Sequence, residues 1–171
     1  MKINVALFGL GRIGIMHAAD LSLHPKFNLK YVFDKNQKLS LKASKKFKCQ
    51  NINNPSKAFN DKSIDLIFIA SSTPTHIPLI VRAAKSKKII FCEKPIDLNI
   101  QKVIKCRNEI KKYKPRILIG FNRRYDPGHY SLKKSLLKGK IGRLEKIIIT
   151  SRDPAPPTLK YLKASGGIYR D

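Results

Sequence analysis

The chain has 171 residues, enough for one domain with a buried core and the beginning of a second. Its hydrophobic fraction of 42% and aromatic fraction of 8% are typical of globular proteins and exclude a largely disordered chain. No apolar run approaches the roughly 20 residues of a membrane helix. Glycines and Arg12 interrupt the apolar residues 1–15, which therefore do not read as a secretion signal. We expect a cytoplasmic protein without a membrane partner.

The formal net charge of +25 raises the question of a nucleic-acid partner. Lysines make up 27 of the 36 basic residues, and they are scattered over predicted helix faces and turns. Arginine would be the better residue for bidentate phosphate contacts. The composition therefore favours a solvated lysine coat, and we expect no nucleic-acid binding.

Three cysteines, Cys49, Cys92 and Cys106, form no pair with metal-ligand spacing. Their odd number also argues against a complete disulfide set. We expect reduced thiols and no metal site.

Strand and helix patterns alternate along the first 120 residues. The patterns predict strands at 2–8, 29–33, 51–54, 64–70, 88–92 and 116–120, and helices at 12–23, 39–47, 75–85 and 99–113. Repeated strand–helix units form a parallel sheet with right-handed crossovers, so we predict a doubly wound α/β domain over residues 1–120. The pattern then changes to a predicted helix at 126–138 and a long strand at 144–152.

A G-x-G-x-x-G motif follows the first predicted strand and opens the first predicted helix. In such a motif Gly9 permits the tight turn, Gly11 lets the backbone approach a pyrophosphate, and Gly14 lets the helix pack on the strand. The N–H groups at the helix start, including those of Arg12 and Ile13, favour phosphate. The motif predicts a dinucleotide site; the alternative is a plain glycine turn.

Asp34 ends the second predicted strand, 20 residues after Gly14. An acid there hydrogen-bonds the ribose hydroxyls of NAD and repels the 2′-phosphate of NADP. The neighbouring Lys35 could pair with that phosphate. We therefore expect NAD, with NADP as the less favoured cofactor.

A polar segment follows the strand predicted at 64–70, and its Ser71, Thr73 and His76 are candidates for cofactor contact. Ligands bind beyond the carboxyl ends of strands in sheets of this class. The alternative for the hydroxyls is helix capping, with a proline in the first turn. His76 alone fits a structural role equally well.

Glu93, Lys94 and Pro95 follow the strand predicted at 88–92. A lysine at a strand's carboxyl end, beside a nicotinamide, could hydrogen-bond a substrate hydroxyl and assist proton removal. Glu93 and Lys94 are thus candidates for cofactor contact, and Lys94 for catalysis. Taken alone, Lys94 would read as an ordinary turn lysine.

Three further segments complete an ordered set of motifs along the chain. They are G-F-N-R-R-Y-D at 120–126, S-R-D-P at 151–154 and G-G-I-Y-R-D at 166–171. Together with the glycine motif, Asp34, S-S-T-P-T-H at 71–76 and E-K-P at 93–95, they resemble the Gfo/Idh/MocA oxidoreductase family. The last two segments resemble those of its inositol 2-dehydrogenases. The resemblance covers the whole chain.

The resemblance implies transfer of a hydride from a secondary alcohol of inositol, or of a related polyol or sugar, to the nicotinamide. Lys94 matches the family's E-K-P lysine, and Asp171 matches the first residue of a D-x-x-x-H motif whose histidine is the usual base. Arg123, Tyr125 and Asp153 are implied to line the substrate pocket, although surface ion pairing is the alternative for Arg123. Members often have a cis bond before the residue matching Pro95.

The resemblance also implies that residues 121–171 begin a second, α+β open-sheet domain for substrate binding and oligomer contacts. The motif's histidine would fall four residues beyond Asp171, and family members are about twice as long. Three explanations stay open: a piece of a full enzyme, which we favour; a truncated, non-catalytic dinucleotide-binding protein; or a split enzyme. The full-length form is expected to be a homo-oligomer.

Overall fold

A computed structural model of the protein describes residues 2–152, 155, 156 and 162. The chain divides into two compact units, Met1–Gly120 and Phe121–Asp171. Within the described residues, no helix combines the length and the apolar character needed to cross a bilayer.

The first unit is built on a parallel sheet of six strands in the order β3-β2-β1-β4-β5-β6. Its strands are β1 Ile3–Phe8, β2 Phe27–Phe33, β3 Gln50–Asn51, β4 Leu66–Ile69, β5 Ile89–Cys92 and β6 Ile117–Ile119. This is the strand order of Rossmann-type dinucleotide-binding domains, with the order reversing between β1 and β4. The predicted doubly wound fold is confirmed.

Five helices connect successive strands of this sheet. They are α1 Arg12–Leu23, α2 Gln37–Phe47, α3 Ser56–Asn60, α4 His76–Lys85 and α5 Ile100–Ile110. Because side chains alternate along a strand, β1 sends Val5 and Leu7 to one face and Ala6 and Phe8 to the other. These pairs belong to two separate buried clusters, so the sheet is covered on both faces.

A row of hydrogen bonds joins the strands at their carboxyl ends. The first residue beyond each of four strands donates its N–H to the last residue of the adjacent strand. The bonds are Gly9 N to Phe33 O (2.9 Å), Ala70 N to Phe8 O (2.8 Å), Glu93 N to Ile69 O (2.8 Å) and Gly120 N to Cys92 O (2.8 Å). Residues that follow different strands therefore lie side by side along one edge of the sheet.

The helix boundaries agree with the sequence patterns to within a few residues, but the patterns did not predict α3. This short helix buries Ala58 and Phe59 in the core, next to Phe8, and Phe8 and Phe59 have ring centroids 5.3 Å apart. A single helical turn is too short for a hydrophobic periodicity to develop. Packing of Phe59, rather than local propensity, accounts for this element.

The described part of the second unit holds a 3₁₀ turn, Asn122–Tyr125, and helix α6, Pro127–Leu137. Asp126 caps α6, and its carboxylate accepts hydrogen bonds from the His129 N–H (2.9 Å) and from the ring Nδ1 (2.8 Å). Proline at the first helical position suits this start.

The strand predicted at 144–152 is wrong: this segment forms no strand. Its side chains Ile147, Ile148 and Ile149 are 59%, 77% and 81% exposed. An extended segment becomes a strand only when a neighbour pairs with its N–H and C=O groups. The described residues of this unit provide no such neighbour.

Candidate functional site

The segment from Gly9 to Gly14, here called the glycine turn, comprises the turn after β1 and the first residues of α1, and two of its positions admit no side chain. Gly9 has φ +93°, and a Cβ there would lie 2.4 Å from the Ser71 backbone. A Cβ on Gly14 would lie 2.0 Å from the Gly9 carbonyl oxygen. The backbone just after β1 is therefore in contact with the backbone just after β4 and with the start of helix α1.

Gly11, between these two, faces open space. A Cβ built on Gly11 would meet no atom within 4 Å, and Gly11 is the N-cap residue of α1. Neither a capping side chain nor an acidic residue occupies the first turn of α1. The helix start thus suits an anionic group, and the open space at Gly11 leaves the backbone accessible to such a group.

Asp34 follows β2 and is hydrogen-bonded to the glycine turn. Its Oδ2 accepts from the Leu10 N–H (2.7 Å), and its Oδ1 accepts from the Asn36 N–H (2.8 Å). Each carboxylate oxygen has a further lone pair, so the group can still accept ribose hydroxyls. Asp34 therefore also holds the glycine turn in place, a role that the motif spacing did not indicate.

The hydroxyl groups of the polar segment after β4 form hydrogen bonds within their own turn. Thr75 Oγ1 donates to the Ser72 carbonyl (2.7 Å), so the 2.6 Å contact between Ser71 Oγ and Thr75 Oγ1 has Ser71 as donor. Thr73 begins the 3₁₀ turn Thr73–Thr75, which has proline in its first turn. These bonds stabilise the turn itself, and neither the 3₁₀ turn nor α4 has a side-chain capping hydrogen bond, so the structure does not support the alternative of helix capping by Thr73 or Thr75. Cofactor contact by Ser71 and Thr73 stays a prediction.

His76 is buried, with 1% of its surface exposed. Its Nε2 lies 2.8 Å from the Ser71 carbonyl oxygen, and its Nδ1 lies 2.8 Å from the Pro95 carbonyl oxygen. A neutral imidazole donates to one of these carbonyls, and a protonated one donates to both. Because both nitrogens face backbone oxygens, the contacts favour a structural link between β4 and Pro95 over the predicted cofactor contact.

Glu93, Lys94 and Pro95 form a turn beyond β5, here called the lysine turn. The Lys94–Pro95 bond is cis, as expected from the resemblance. The Glu93 carboxylate contacts His17 Nε2 of helix α1 through Oε1 (2.7 Å) and accepts the Lys94 N–H through Oε2 (3.2 Å). The side chain of Glu93 thus bridges helix α1 and the backbone of Lys94.

The environment of Glu93 keeps its carboxylate charged. Burial is the largest single influence and by itself would raise its pKa, but the hydrogen bonds and charges of His17 and Lys94 together hold the pKa below its usual value. Gly120 makes room for it, because a Cβ there would lie 3.0 Å from the carboxylate.

His17 was not singled out from the sequence. It lies on the same stripe of α1 as the buried Gly14, Ala18 and Leu21, at spacings of three and four residues. Its ring packs on the stacked pair Phe68 and Phe91, at centroid distances of 4.6 Å and 5.7 Å. A histidine on an otherwise apolar helix stripe is the signal that could have identified it.

The remaining candidates lie elsewhere. Arg123 and Tyr125 are exposed residues of the 3₁₀ turn in the second unit. Asp153 and Asp171 lie outside the described residues. Their substrate and catalytic roles stay predictions. Within the described part of the chain, no cluster of three or more histidine, cysteine or acidic side chains could hold a metal.

Comparison with known proteins identifies the family. The model of an oxidoreductase family with an NAD-binding Rossmann fold matches residues 3–121, and the chain belongs to this Gfo/Idh/MocA family. The myo-inositol 2-dehydrogenase of Thermotoga maritima is 38% identical over 98% of this chain and 51% of its own length. The chain thus spans about half the length of the curated relatives it matches.

Two solved structures extend the comparison. A myo-inositol dehydrogenase from Corynebacterium glutamicum superposes with a TM-score of 0.93 at 37% identity, over 100% of this chain and 51% of its own. The scyllo-inositol dehydrogenase of Lactobacillus casei, solved with NAD(H) and scyllo-inositol, gives a TM-score of 0.78 at 26% identity, covering 83% of this chain and 43% of its own.

Proposed function

We propose that this chain is the cofactor-binding part of an NAD-dependent dehydrogenase that oxidises a secondary alcohol of inositol or a related polyol. The observation that carries the proposal is the row of hydrogen bonds along the carboxyl edge of the sheet. It places Asp34, the glycine turn and the lysine turn on one edge, with Asp34 and Glu93 three strand spacings apart, roughly 14 Å. Inositol dehydrogenases among the relatives support the substrate class.

The cofactor would be held by the backbone at Gly11 and the first turn of α1, which suit the pyrophosphate. Asp34 would accept the adenosine ribose hydroxyls through its remaining lone pairs, and its charge would disfavour the 2′-phosphate of NADP. The exposed Lys35 beside it could pair with that phosphate and so admit NADP. NAD is therefore the proposed cofactor.

Lys94 is the proposed catalytic residue of this chain. NAD, when bound, supplies the acceptor for the hydride. Lys94 Nζ hydrogen-bonds the oxygen of the reacting alcohol and assists removal of its proton. Asp171 is proposed to orient the base or to bind a sugar hydroxyl, and Arg123, Tyr125 and Asp153 to contact the substrate.

The test begins with cofactor binding by the chain itself. Titration with NADH, followed by nicotinamide fluorescence, should saturate, and NADPH should bind at least about tenfold more weakly because of the Asp34 charge. A folded sample without saturable NADH binding contradicts the proposal. Equal affinity for both would contradict the proposed preference for NAD and would indicate that Lys35 accommodates the 2′-phosphate.

Turnover then tests Lys94 in a form of the protein that oxidises inositol. Lys94→Ala should lower kcat by roughly 10²–10⁴-fold while leaving NADH affinity within about threefold. Lys85→Ala, which removes an exposed lysine paired with Glu109, is the control. A kcat change below about threefold for Lys94→Ala would exclude it from the mechanism. NADH binding without turnover of any polyol would favour the non-catalytic alternative.

A further inference from the structure

The Asp34 carboxylate connects the glycine turn with the start of the next helix. Its Oδ2 accepts the Leu10 N–H, and its Oδ1 accepts the N–H of Asn36, the N-cap residue of α2. Resting on the proposed function, we propose that Asp34 is a positioning residue for phosphate binding. By fixing the glycine turn, it strengthens binding of the dinucleotide's pyrophosphate independently of its contact with the ribose hydroxyls.

The hydrogen bond to Leu10 determines which way one peptide group of the turn points. The Gly9–Leu10 peptide is trans, so its N–H and its C=O point in opposite directions. The N–H points to Asp34, and the Gly9 carbonyl lies against Gly14 in the first turn of α1, where a Cβ would collide with it. The orientation of this peptide therefore sets where α1 begins relative to β1.

Glycine would otherwise allow this peptide to rotate. Gly9 has φ +93°, and a residue without a Cβ exchanges one backbone conformation for another at little steric cost. The Leu10 side chain is buried, but its packing does not by itself fix the peptide group before it. A hydrogen bond from the N–H to a carboxylate is stronger than one to a neutral acceptor and removes this freedom. The N–H groups that begin α1 are thereby held in place for an anion.

The negative charge of Asp34 would by itself have the opposite effect. The carboxylate lies close to the glycine turn, where the pyrophosphate is proposed to bind, and like charges repel. If the only other role of Asp34 is to accept ribose hydroxyls, removing it should strengthen the binding of phosphate groups. If Asp34 holds the turn, removing it should weaken their binding. The sign of the change separates the two roles.

The test uses a ligand that carries the pyrophosphate without the ribose hydroxyls. This ligand, here called dideoxy-NADH, is NADH with hydrogen in place of the 2′- and 3′-hydroxyls of its adenosine ribose. The whole chain is titrated with each ligand, and binding is followed by nicotinamide fluorescence. The unsubstituted chain should bind dideoxy-NADH roughly 10–100-fold more weakly than NADH, because hydrogen bonds to a carboxylate are lost.

Asp34→Ala should weaken the binding of dideoxy-NADH by a further factor of at least about five, although this ligand has no hydroxyl for residue 34 to contact. The reason is that the Leu10 N–H loses its acceptor and the turn loses its orientation. Asp20→Ala removes an exposed acid from α1 and controls for the change in charge. It should leave the affinity for dideoxy-NADH within about twofold of that of the unsubstituted chain.

Hydrogen exchange provides a readout that needs no ligand. The Leu10 amide should exchange at least about tenfold faster in Asp34→Ala than in the unsubstituted chain, and at an unchanged rate in Asp20→Ala. If Asp34→Ala fails to fold, Asp34→Asn replaces it, because the amide keeps one acceptor oxygen while losing the charge. In that variant the affinity for dideoxy-NADH should fall only together with faster exchange at Leu10.

Two results would overturn the proposal. One is an unchanged or increased affinity for dideoxy-NADH in folded Asp34→Ala, which would limit Asp34 to the ribose. The other is weaker binding without faster exchange at Leu10, which would place the effect outside the turn. Failure of the unsubstituted chain to bind either ligand would reject the proposed function, while the exchange rates would still report whether Asp34 holds the turn.

Discussion

The glycine turn and the lysine turn lie on the same edge of one sheet but are built by opposite means. At Gly9 and Gly14 the fold leaves no space for a Cβ, so the turn is defined by backbone against backbone. In the lysine turn, by contrast, Glu93 and Pro95 are held by His17 and His76, which come from distant helices. A steric requirement can be read from a motif, whereas a side-chain bridge depends on residues that only the fold brings together.

The largest effect should come from filling the glycine turn. Gly14→Ala places a Cβ 2.0 Å from the Gly9 oxygen, so α1 must move, and we expect a loss of roughly 3 kcal/mol in the free energy of unfolding measured in urea. Gly11→Ala meets nothing within 4 Å and should change stability by less than about 0.5 kcal/mol.

The same pair of variants should separate stability from cofactor binding. Gly11→Ala should weaken NADH binding by roughly tenfold, because its methyl group enters the space proposed for the pyrophosphate. If Gly11→Ala binds NADH normally, that space is not the phosphate site. If Gly14→Ala is as stable as the unsubstituted chain, the turn is less constrained than its backbone contacts indicate.

Removing the His76 side chain, which bridges two carbonyls at the lysine turn, should lower the free energy of unfolding by a somewhat smaller amount. His76→Leu leaves the carbonyls of Ser71 and Pro95 buried beside an apolar group, and we expect a loss of roughly 2–3 kcal/mol in unfolding free energy. His76→Asn, whose amide can reach the position of Nδ1, should recover part of that loss through Pro95. Equal destabilisation by both variants would mean that packing, rather than hydrogen bonding, accounts for the effect.

A turn remote from this edge is also held by side-chain hydrogen bonds. It provides a comparison because its contribution to stability should depend on pH. Asp61, before β4, accepts hydrogen bonds from Lys30 Nζ (2.9 Å), Tyr31 OH (2.8 Å) and Ser63. Its hydrogen bond with Lys30, followed by those with Ser63 and Tyr31, holds the pKa of Asp61 far below its usual value. The same hydrogen bond between Lys30 and Asp61 raises the pKa of Lys30.

Asp61→Asn should therefore cost about 1–2 kcal/mol in unfolding free energy at pH 7. A lowered carboxyl pKa stabilises the fold above the unfolded-state value of about 3.9, and this contribution declines as pH falls below it. The difference in unfolding free energy between Asp61→Asn and the unsubstituted chain should thus shrink in urea titrations near pH 3. A difference that stays constant from pH 7 to pH 3 would show that the charge of Asp61 is not responsible.

The smallest expected effect concerns helix ends, where this chain uses lysine in place of glycine. Lys48, Lys87 and Lys114 have positive φ angles of 52°, 55° and 48°. Lys87→Gly should raise the free energy of unfolding by about 0.5–1 kcal/mol, because glycine adopts this conformation without strain. Lys85→Gly, at the last residue of α4, should lower it, because glycine is unfavourable in a helix and the pairing with Glu109 is lost. Thermal melting of both variants checks the opposite signs.

Sequence reasoning located most of the first unit because its signals are local. Continuous apolar runs, such as that before Ala70, predict buried strands, and strand–helix alternation predicts parallel pairing. The helix start at Arg12 followed from the glycine motif, as did the two steric roles that Gly9 and Gly14 fulfil. The segment 144–152 was misassigned because apolar residues with high strand propensity form a strand only beside a partner.

The amino-acid sequence by itself determined that residues from Ile3 to Asp34 form a strand, a tight turn, a helix and a second strand, because backbone sterics and hydrophobic periodicity act over short distances. Only the tertiary structure decided that Asp34 binds the Leu10 N–H, that His76 bridges two carbonyls, and that His17 meets Glu93. These contacts span 5 to 76 residues of chain. Since hydrogen bonds need their partners within about 3 Å, such pairs are fixed by how the helices pack on the sheet.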